Sequence, residues 1–454
     1  MQIHLIAVGG SVMHNLAIAL SKKGYQVTGS DDMIFEPSKS RLLKHGLLPT
    51  VEGWNVNHIH ADLDAVILGM HAKKDNPELL KAQEMGLPIY SYPEYIYEQS
   101  KNKLRVVIGG SHGKTTITSM IMHVLNKHGK NFDYLVGAQL DGFDTMVKIT
   151  ADAPLMIIEG DEYLASPVDQ RPKFHLYKPN IAVLSGISWD HINVFPTFDT
   201  YLEQFILFLK TIEPSGTLIY CSEDPELKKI VDMDPSNLVK IPYGIPLHKI
   251  ESGITQLIVG QKMIPLQIFG DHNLLNLNAA KSVCVALGLT EEDFYVAIQS
   301  FKGAAKRLEL LGKNEHVTIF KDFAHSPSKV RATIHAVKMQ YSNQKLVSVL
   351  ELHTFSSLNE TFLGQYAGTM DEADEAIVFC DEQNLMHKGV KKIDLLVIRK
   401  FFNNLELEYF TSPEKLEEYL VNLNYKNKAL LLMSSGNFGN INLLTLKDKI
   451  LSKY

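Results

Sequence analysis

The chain has 454 residues, 45% hydrophobic and 21% charged, and its 45 basic and 51 acidic side chains leave a formal net charge of −6. That length exceeds one ordinary core and predicts about three domains. The acidic balance, with no basic stretch interleaved with aromatics, argues against a nucleic-acid partner, and no run of about 18 apolar residues marks a membrane helix.

The N-terminus, MQIHLIAVGGS, has no basic leader or cleavage pattern, so a cytoplasmic location is expected. Cys221, Cys284 and Cys380 are too far apart in sequence for a disulfide framework or a zinc knuckle. The 18 histidines are scattered, with no His-x3-His pair beside a glutamate on one helical face, and read mostly as surface or packed side chains. Nothing in the sequence points to a protein partner.

In chain order, Ile3–Val8 reads as a strand, Met13, Leu16, Ala17 and Leu20 share one face of a helix, and Tyr25–Thr28 is a second strand: a right-handed βαβ unit. The turn Ala7-Val8-Gly9-Gly10-Ser11-Val12 needs glycine at 7, 9 and 12 to be a dinucleotide fingerprint. Only Gly9 complies, so NAD binding is poorly supported. Asp31, at the end of the second strand, has two readings of equal weight: a ribose-binding acid or a turn aspartate in Gly29-Ser30-Asp31-Asp32. A strand over Leu63–Leu68, a helix from Pro77 to Gly86 and a strand over Leu87–Tyr90 complete a doubly wound, nucleotide-type first block, residues 1–101.

The second block, residues 102–312, opens with the apolar run Leu104–Ile108, the loop Gly109-Gly110-Ser111-His112-Gly113-Lys114-Thr115-Thr116, and apolar residues at helical spacing as far as Gly129. Strand, glycine loop and helix in that order form a phosphate-binding site, because the loop N–H groups and the helix N-terminus face a polyphosphate with partial positive charge. Ile108 stands where the usual Gly-x4-Gly-Lys-Ser/Thr pattern has glycine, leaving the shorter Gly110-x-x-Gly113-Lys114-Thr115. Lys114 can reach the terminal phosphates and Thr115 can ligate Mg²⁺. Two further apolar strands, Leu155–Ile158 and Ile181–Leu184, run into Glu159 and into Ser185-Gly186-Ile187-Ser188-Trp189-Asp190-His191. Ligands gather at the carboxyl ends of such strands. Of the two residues, Glu159 suits a hard, oxygen-seeking cation better than His191.

The third block, residues 313–454, again alternates. Strands at Val317–Phe320, Lys345–Leu350, Ala376–Phe379 and Ala429–Met433, with a helical stretch beyond Asn359, predict a parallel sheet with covering helices. No short-period repeat or low-complexity segment is present. The fold class is therefore α/β, with three domains each built on a mostly parallel sheet and flanking helices.

Six motifs occur in one order: Gly110-x-His112-Gly113-Lys114-Thr115-Thr116, Glu159-Gly-Asp161-Glu162-Tyr163, Asp190-His191, His272-Asn273-x-x-Asn276, Lys306-Arg307-Leu308-Glu309 and Asp322-Phe-Ala-His325. Together they resemble the Mur ligases, ATP-dependent amide-bond formers with a sugar-nucleotide domain, an ATPase domain and a C-terminal domain that helps close the site. The resemblance implies the cofactors ATP and Mg²⁺. It implies that Gly110, Gly113, Lys114 and Thr116 hold the phosphates, that Ser111, His112 and Thr115 bind the cofactor with them, and that Thr115, Glu159 and His191 form the metal site. Lys114, Glu159 and His191 would then be the catalytic residues.

His272, Asn273 and Asn276 match an adenine-binding segment, though alone they read as a polar helix start. Arg307, Asp322 and His325 match residues that reach the nucleotide from the third domain, though alone Arg307 reads as a surface charge. Gly10, Ser11, Asp31, His71, Arg171 and His353 fall to the substrates, UDP-N-acetylmuramate and a peptide.

Asp169-Gln-Arg171-Pro-Lys173-Phe174 and Ser435-Gly-Asn-Phe438-Gly439-Asn-Ile441 resemble the branch that attaches L-alanyl-γ-D-glutamyl-meso-diaminopimelate, which makes the tripeptide the expected acceptor. Glu351-Leu-His353-Thr354 is instead nearer the L-alanine-adding branch, the alternative reading, and Ala7, Ser326 and Lys306 depart from the family pattern. A rival of another class is a nucleotide-dependent regulatory protein that does not ligate.

Overall fold

The computed structural model describes residues 1–189, 194–251, 253–303, 308–354, 356–358, 360–389 and 393–454. Two compact units are present, residues 1–245 with 275–298, and residues 246–274 with 299–454.

The first unit contains two sheets. Strands β1 (Gln2–Ile6), β2 (Gln26–Ser30), β3 (Ala65–Leu68) and β4 (Ile89–Ser91) form a parallel sheet in the order β2-β1-β3-β4. The chain leaves β1 where strand order reverses, so the turn after β1 opens at the carboxyl edge, where α/β sheets bind ligands. β1 is shorter than the apolar run predicts. Ala7 adopts φ +64, a left-handed conformation that costs an alanine about 1–2 kcal/mol and turns the chain out of the sheet. The helix Pro77–Glu84 begins where expected because the Asn76 side chain accepts the N–H groups of Glu78 and Leu79.

The second sheet is built from β5 (Leu104–Gly109), β6 (Asp133–Leu135), β7 (Val147–Lys148), β8 (Leu155–Glu159), β9 (Ile181–Leu184), β10 (Thr217–Cys221) and β11 (Val239–Tyr243), in the order β11-β10-β9-β5-β8-β6-β7. All neighbours are parallel except β6 and β7. Val106, Val107, Ile108, Ile157, Ile158 and Val183 are fully buried, which explains the unbroken apolar runs: a parallel sheet is covered on both faces. β5 lies at the centre, with β8 on one side and β9 on the other, so the glycine loop emerges at the switch point.

The second unit holds β12 (His248–Glu251), β13 (Ile254–Val259) and β14 (Lys262–Pro265), a small antiparallel sheet that the sequence reading missed. Beside it in the same unit is a six-stranded sheet of β15 (Glu309–Lys313), β16 (Val317–Asp322), β17 (Lys345–Glu351), β18 (Glu375–Phe379), β19 (Glu408–Phe410) and β20 (Lys428–Met433), in the order β15-β16-β20-β17-β18-β19. Only the β15 edge is antiparallel. This sheet therefore begins at Glu309, ahead of the boundary at residue 313. Its two faces carry separate cores, one around Phe320, Leu350, Tyr366 and Leu431, the other around Val349, Phe379, Leu430 and Phe438. The stretch beyond Asn359 holds only the short helix Glu360–Leu363 and a 3-10 turn, Gly364–Tyr366.

Candidate active site

Gly110 and Gly113 shape the loop after β5. Both take positive φ, +119 and +79, and a Cβ on Gly110 would lie 2.7 Å from the Ser185 nitrogen, while one on Gly113 would collide with the Asn276 side chain. Glycine is thus required twice, for backbone conformation and for close approach. Gly113 is the N-cap of the helix Lys114–Lys127 and brings no side chain to its first turn, so the positive end of the helix points at the loop.

Acidic groups converge on the same loop. Lys114 Nζ donates to the Gly110 carbonyl at 2.6 Å and to the buried Glu162 carboxylate at 2.6 Å. Burial works against the ammonium charge, but Glu162, with Asp161 and Glu159 behind it, raises its pKa overall and keeps it protonated. Thr115 Oγ1 donates to Glu159 Oε1 at 2.7 Å, and the Gly137 N–H donates to Oε2 at 2.7 Å. Burial raises the pKa of Glu159 even though those two donors oppose it.

Behind the loop runs a chain of hydrogen bonds. The Ser188 N–H donates to Ser111 Oγ at 2.8 Å, Ser111 Oγ is 2.8 Å from the Tyr201 hydroxyl, and Tyr201 donates to Glu162 at 3.2 Å. Ser111 is further held by its N–H on the Gly186 carbonyl at 3.0 Å. His112 Nδ1 lies 2.7 Å from the Ser111 carbonyl, and Thr116 is buried in the first turn of the helix.

Of the predicted residues, Gly110, Ser111, His112, Gly113, Lys114, Thr115, Thr116, Glu159 and Asn276 meet here. His191 and Arg307 lie outside the described residues.

At the first sheet, the Gly9 N–H donates to Asp31 Oδ2 at 2.7 Å and the Asp32 N–H to Oδ1 at 2.9 Å. Burial, opposed by those bonds and aided by neighbouring Asp32, pushes the Asp31 carboxyl up to about 6. Gly10 caps the following helix, Ser11 is exposed beside it, and His71 is exposed in the loop after β3. Arg171 is exposed and paired with Asp169 at 2.7 Å and Glu94 at 3.0 Å. Its neighbour Lys173 pairs with Asp161 at 2.6 Å.

In the second unit, the Asn273 side chain donates to the Phe269 carbonyl at 2.9 Å, and His272 lies in the same helical turn. The Asp322 carboxylate receives the N–H groups of Leu308 at 2.5 Å and Ala324 at 2.6 Å, and His325 Nδ1 lies 2.8 Å from the Phe323 carbonyl. Beyond β17, His353 lies 3.8 Å from the buried Glu351 and 3.2 Å from the Asn384 amide, and the Lys388 ammonium donates to its carbonyl. Glu351 is itself fixed by the Ser434 hydroxyl and, at 2.9 Å, by the Phe438 N–H.

Three family models match in succession: the Mur ligase family catalytic domain over residues 2–103, the Mur ligase middle domain over 108–284, and the Mur ligase glutamate ligase domain over 306–436. The chain belongs to the Mur ligase family. Members are ATP-dependent amide ligases, and this chain is an enzyme of that type. A UDP-N-acetylmuramate–L-alanine ligase from Caldicellulosiruptor saccharolyticus is 30% identical over 452 residues, 95% of each protein. A ligase of the same name from Caldicellulosiruptor bescii is 29% identical over 466 residues, 98% of each.

Among solved structures, a UDP-N-acetylmuramate–alanine ligase from Thermotoga maritima superposes with TM-score 0.68 at 20% identity, covering 100% of this chain and 99% of that one. A murein peptide ligase from Psychrobacter arcticus gives TM-score 0.63 at 20% identity, covering 100% and 98%. At that identity the two structures establish the Mur ligase fold alone.

The sequence reading gave no role to Glu162, Tyr201 or Lys388. Glu162 lay inside a quoted motif, so its proximity to Lys114 was within reach. Tyr201 sits on the helix Phe198–Leu209 and Lys388 just past the helix Glu382–His387, and only the tertiary fold brings them to Ser111 and His353.

Proposed function

We propose that this Mur ligase uses ATP to activate the muramate carboxylate of UDP-N-acetylmuramate and couples it to the α-amine of L-alanine. The observation that carries the ligase chemistry is the loop in which Lys114, Thr115 and Glu159 converge beneath a helix N-terminus. The choice of acceptor follows the relatives that span 95% or more of the chain, which are named for L-alanine addition.

A carboxylate repels an attacking amine and must first gain a leaving group. In the proposed step one carboxylate oxygen attacks the γ-phosphorus of ATP in line, giving an acyl phosphate and ADP. The neutral amine then attacks the acyl carbon, and inorganic phosphate leaves with the original carboxylate oxygen. Lys114 would leave Glu162 for the phosphates, exchanging one anionic partner for a more highly charged one. Water must be kept out, because the acyl phosphate would otherwise hydrolyse; Arg307, Asp322 and His325 are proposed to bind the nucleotide.

The residues present suit Mg²⁺. Thr115 and the buried Glu159 carboxylate stand in contact, Oγ1 2.7 Å from Oε1, and offer the oxygen donors a hard cation prefers. Thr115 and Glu159, with His191, would hold the ion, which when bound would neutralise charge on the phosphate oxygens. His272, Asn273 and Asn276 would take the adenine, and Gly10, Ser11, Asp31 and His71 the sugar nucleotide. His353, beside Glu351 and Lys388, would face the acceptor.

The tripeptide is the second reading, favoured by the segment Asp169–Phe174, whose Arg171 guanidinium is exposed and, among the described residues, pairs with Asp169 and Glu94. A peptide carboxylate could take the place of one of these partners. Phosphate release with UDP-N-acetylmuramate and either L-alanine or the tripeptide separates the readings. L-Alanine is expected to give the higher kcat/KM. A higher value with the tripeptide reverses the assignment, and release that needs neither substrate points to the non-ligating rival.

A further inference from the structure

Three side chains that carry no role in the reading above close on one another at the first sheet. His4, on β1, is fully buried. Glu78, in the first turn of the helix Pro77–Glu84, has a fully buried side chain, and His58, in the 3-10 turn Val56–His58, is 39% exposed. His4 Nε2 lies 3.3 Å from Glu78 Oε2, and His58 Nδ1 lies 3.3 Å from Glu78 Oε1. One ligand atom from each residue falls within 4.8 Å of the other two.

We propose that His4 Nε2, His58 Nδ1 and the Glu78 carboxylate form a site for a divalent transition ion of the zinc class. Tetrahedral Zn²⁺ with nitrogen and oxygen ligands at about 2.0–2.1 Å sets those ligands about 3.3 Å apart, the spacing found twice here. The carboxylate sits between the two imidazoles and could offer one or both oxygens. Among the described residues, these imidazoles are the only ion-pair partners Glu78 has. A buried carboxylate with no Lys or Arg beside it gains from a cation.

The surroundings are those of a ligand set. His4 Nδ1 is 2.8 Å from the Thr28 hydroxyl, the kind of outer contact that orients a metal-binding imidazole. The Glu78 carboxylate is steadied by the Asn55 N–H at 2.8 Å and by the Ser30 hydroxyl. The Ser30 oxygen, 3.2 Å from His4 Nε2, or a water entering beside half-exposed His58 would complete four-coordination. A scan for His-x3-His spacing could not see this cluster, because its members lie on β1, a 3-10 turn and a helix start.

The test is metal uptake by the purified full-length protein. Zn²⁺ is titrated in competition with a chromophoric chelator while Mg²⁺ is in excess, and Co²⁺ is followed by its visible d–d absorption. The expected result is one tight Zn²⁺ equivalent per chain and the intense bands of four-coordinate Co²⁺. His58→Ala, a change at a half-exposed side chain that the fold should tolerate, should lower the affinity at least 100-fold and remove the bands. Thr28→Val should weaken binding by 10- to 100-fold. ATP affinity should be the same in both variants. If wild type takes up no stoichiometric Zn²⁺, or His58→Ala binds as tightly, the cluster is a hydrogen-bonded pair without an ion and the proposal fails.

Discussion

Lys114 is held between a backbone carbonyl and Glu162, and Glu162 is in turn held by Tyr201. The phenol therefore helps fix where the carboxylate stands and, under the proposed function, how readily it releases the lysine. Tyr201→Phe keeps the ring against Phe195 and Phe205 and deletes only the hydroxyl. Losing a hydrogen bond to a charged group costs about 1.5 kcal/mol, so KM for ATP should rise about tenfold while KM for the sugar nucleotide stays constant. A purely structural tyrosine would instead lower the melting temperature and leave both constants unchanged; steady-state kinetics with a thermal melt separate the two.

Asp31 allows a second prediction at this scale. Its carboxyl, raised by burial to about 6 from an ordinary value of 3.8, favours the protonated form in the folded state. Its contribution to stability is therefore fully present below about pH 4 and is lost as pH climbs through about 6. Asp31→Asn does not titrate, so the melting temperature of the variant minus that of wild type should be more positive at pH 7.5 than at pH 4. An equal difference at both pH values would contradict the assignment.

At the scale of elements, the start of the helix Lys114–Lys127 is the part most sensitive to a single atom. Gly113→Ala places a methyl group against Asn276 and demands a φ of +79 from alanine. The expected outcome is a loss of about 1–2 kcal/mol in stability and at least a tenfold loss in nucleotide affinity, read by denaturant unfolding and by calorimetry with an ATP analogue. The parallel strands were legible in the sequence because burial on both faces forces unbroken apolar runs such as Val106–Ile108 and Leu430–Leu432. Glycine, lysine and threonine at fixed spacing made the loop legible for the same reason, since backbone geometry and phosphate chemistry admit few other residues.

The edge strands were not legible. β7 has two residues, and β12 to β14 are half-exposed with mixed polarity, so neither period nor composition marks them. The end of β1 was overrun because an alanine occupies the left-handed position after Ile6, where a glycine would have signalled the turn. The hold of Tyr201 on Glu162 was invisible because a side-chain hydrogen bond between distant elements leaves no periodic trace.

For the molecule as a whole, the three family models cover most of the chain in order, and the fold places the glycine loop at the switch point of the central sheet. Within the first unit the two sheets are joined by side chains: the Asn15 side chain accepts the Met146 N–H at 3.0 Å, and Arg41 donates to Gln139 at 3.0 Å. Arg41 also reaches the Asp144 carbonyl at 2.7 Å, so the first two sheets are tied by side chains as well as by sequence. Such an arrangement has one chemical purpose under the proposed function, to convert a carboxylate into an acyl phosphate and deliver it to an amine. Oxygen transfer reports on that conversion directly. With UDP-N-acetylmuramate labelled by ¹⁸O in the muramate carboxylate, ATP and the acceptor amine, one labelled oxygen should appear in inorganic phosphate for each amide bond formed. Unlabelled phosphate accompanying amide product would contradict activation through an acyl phosphate.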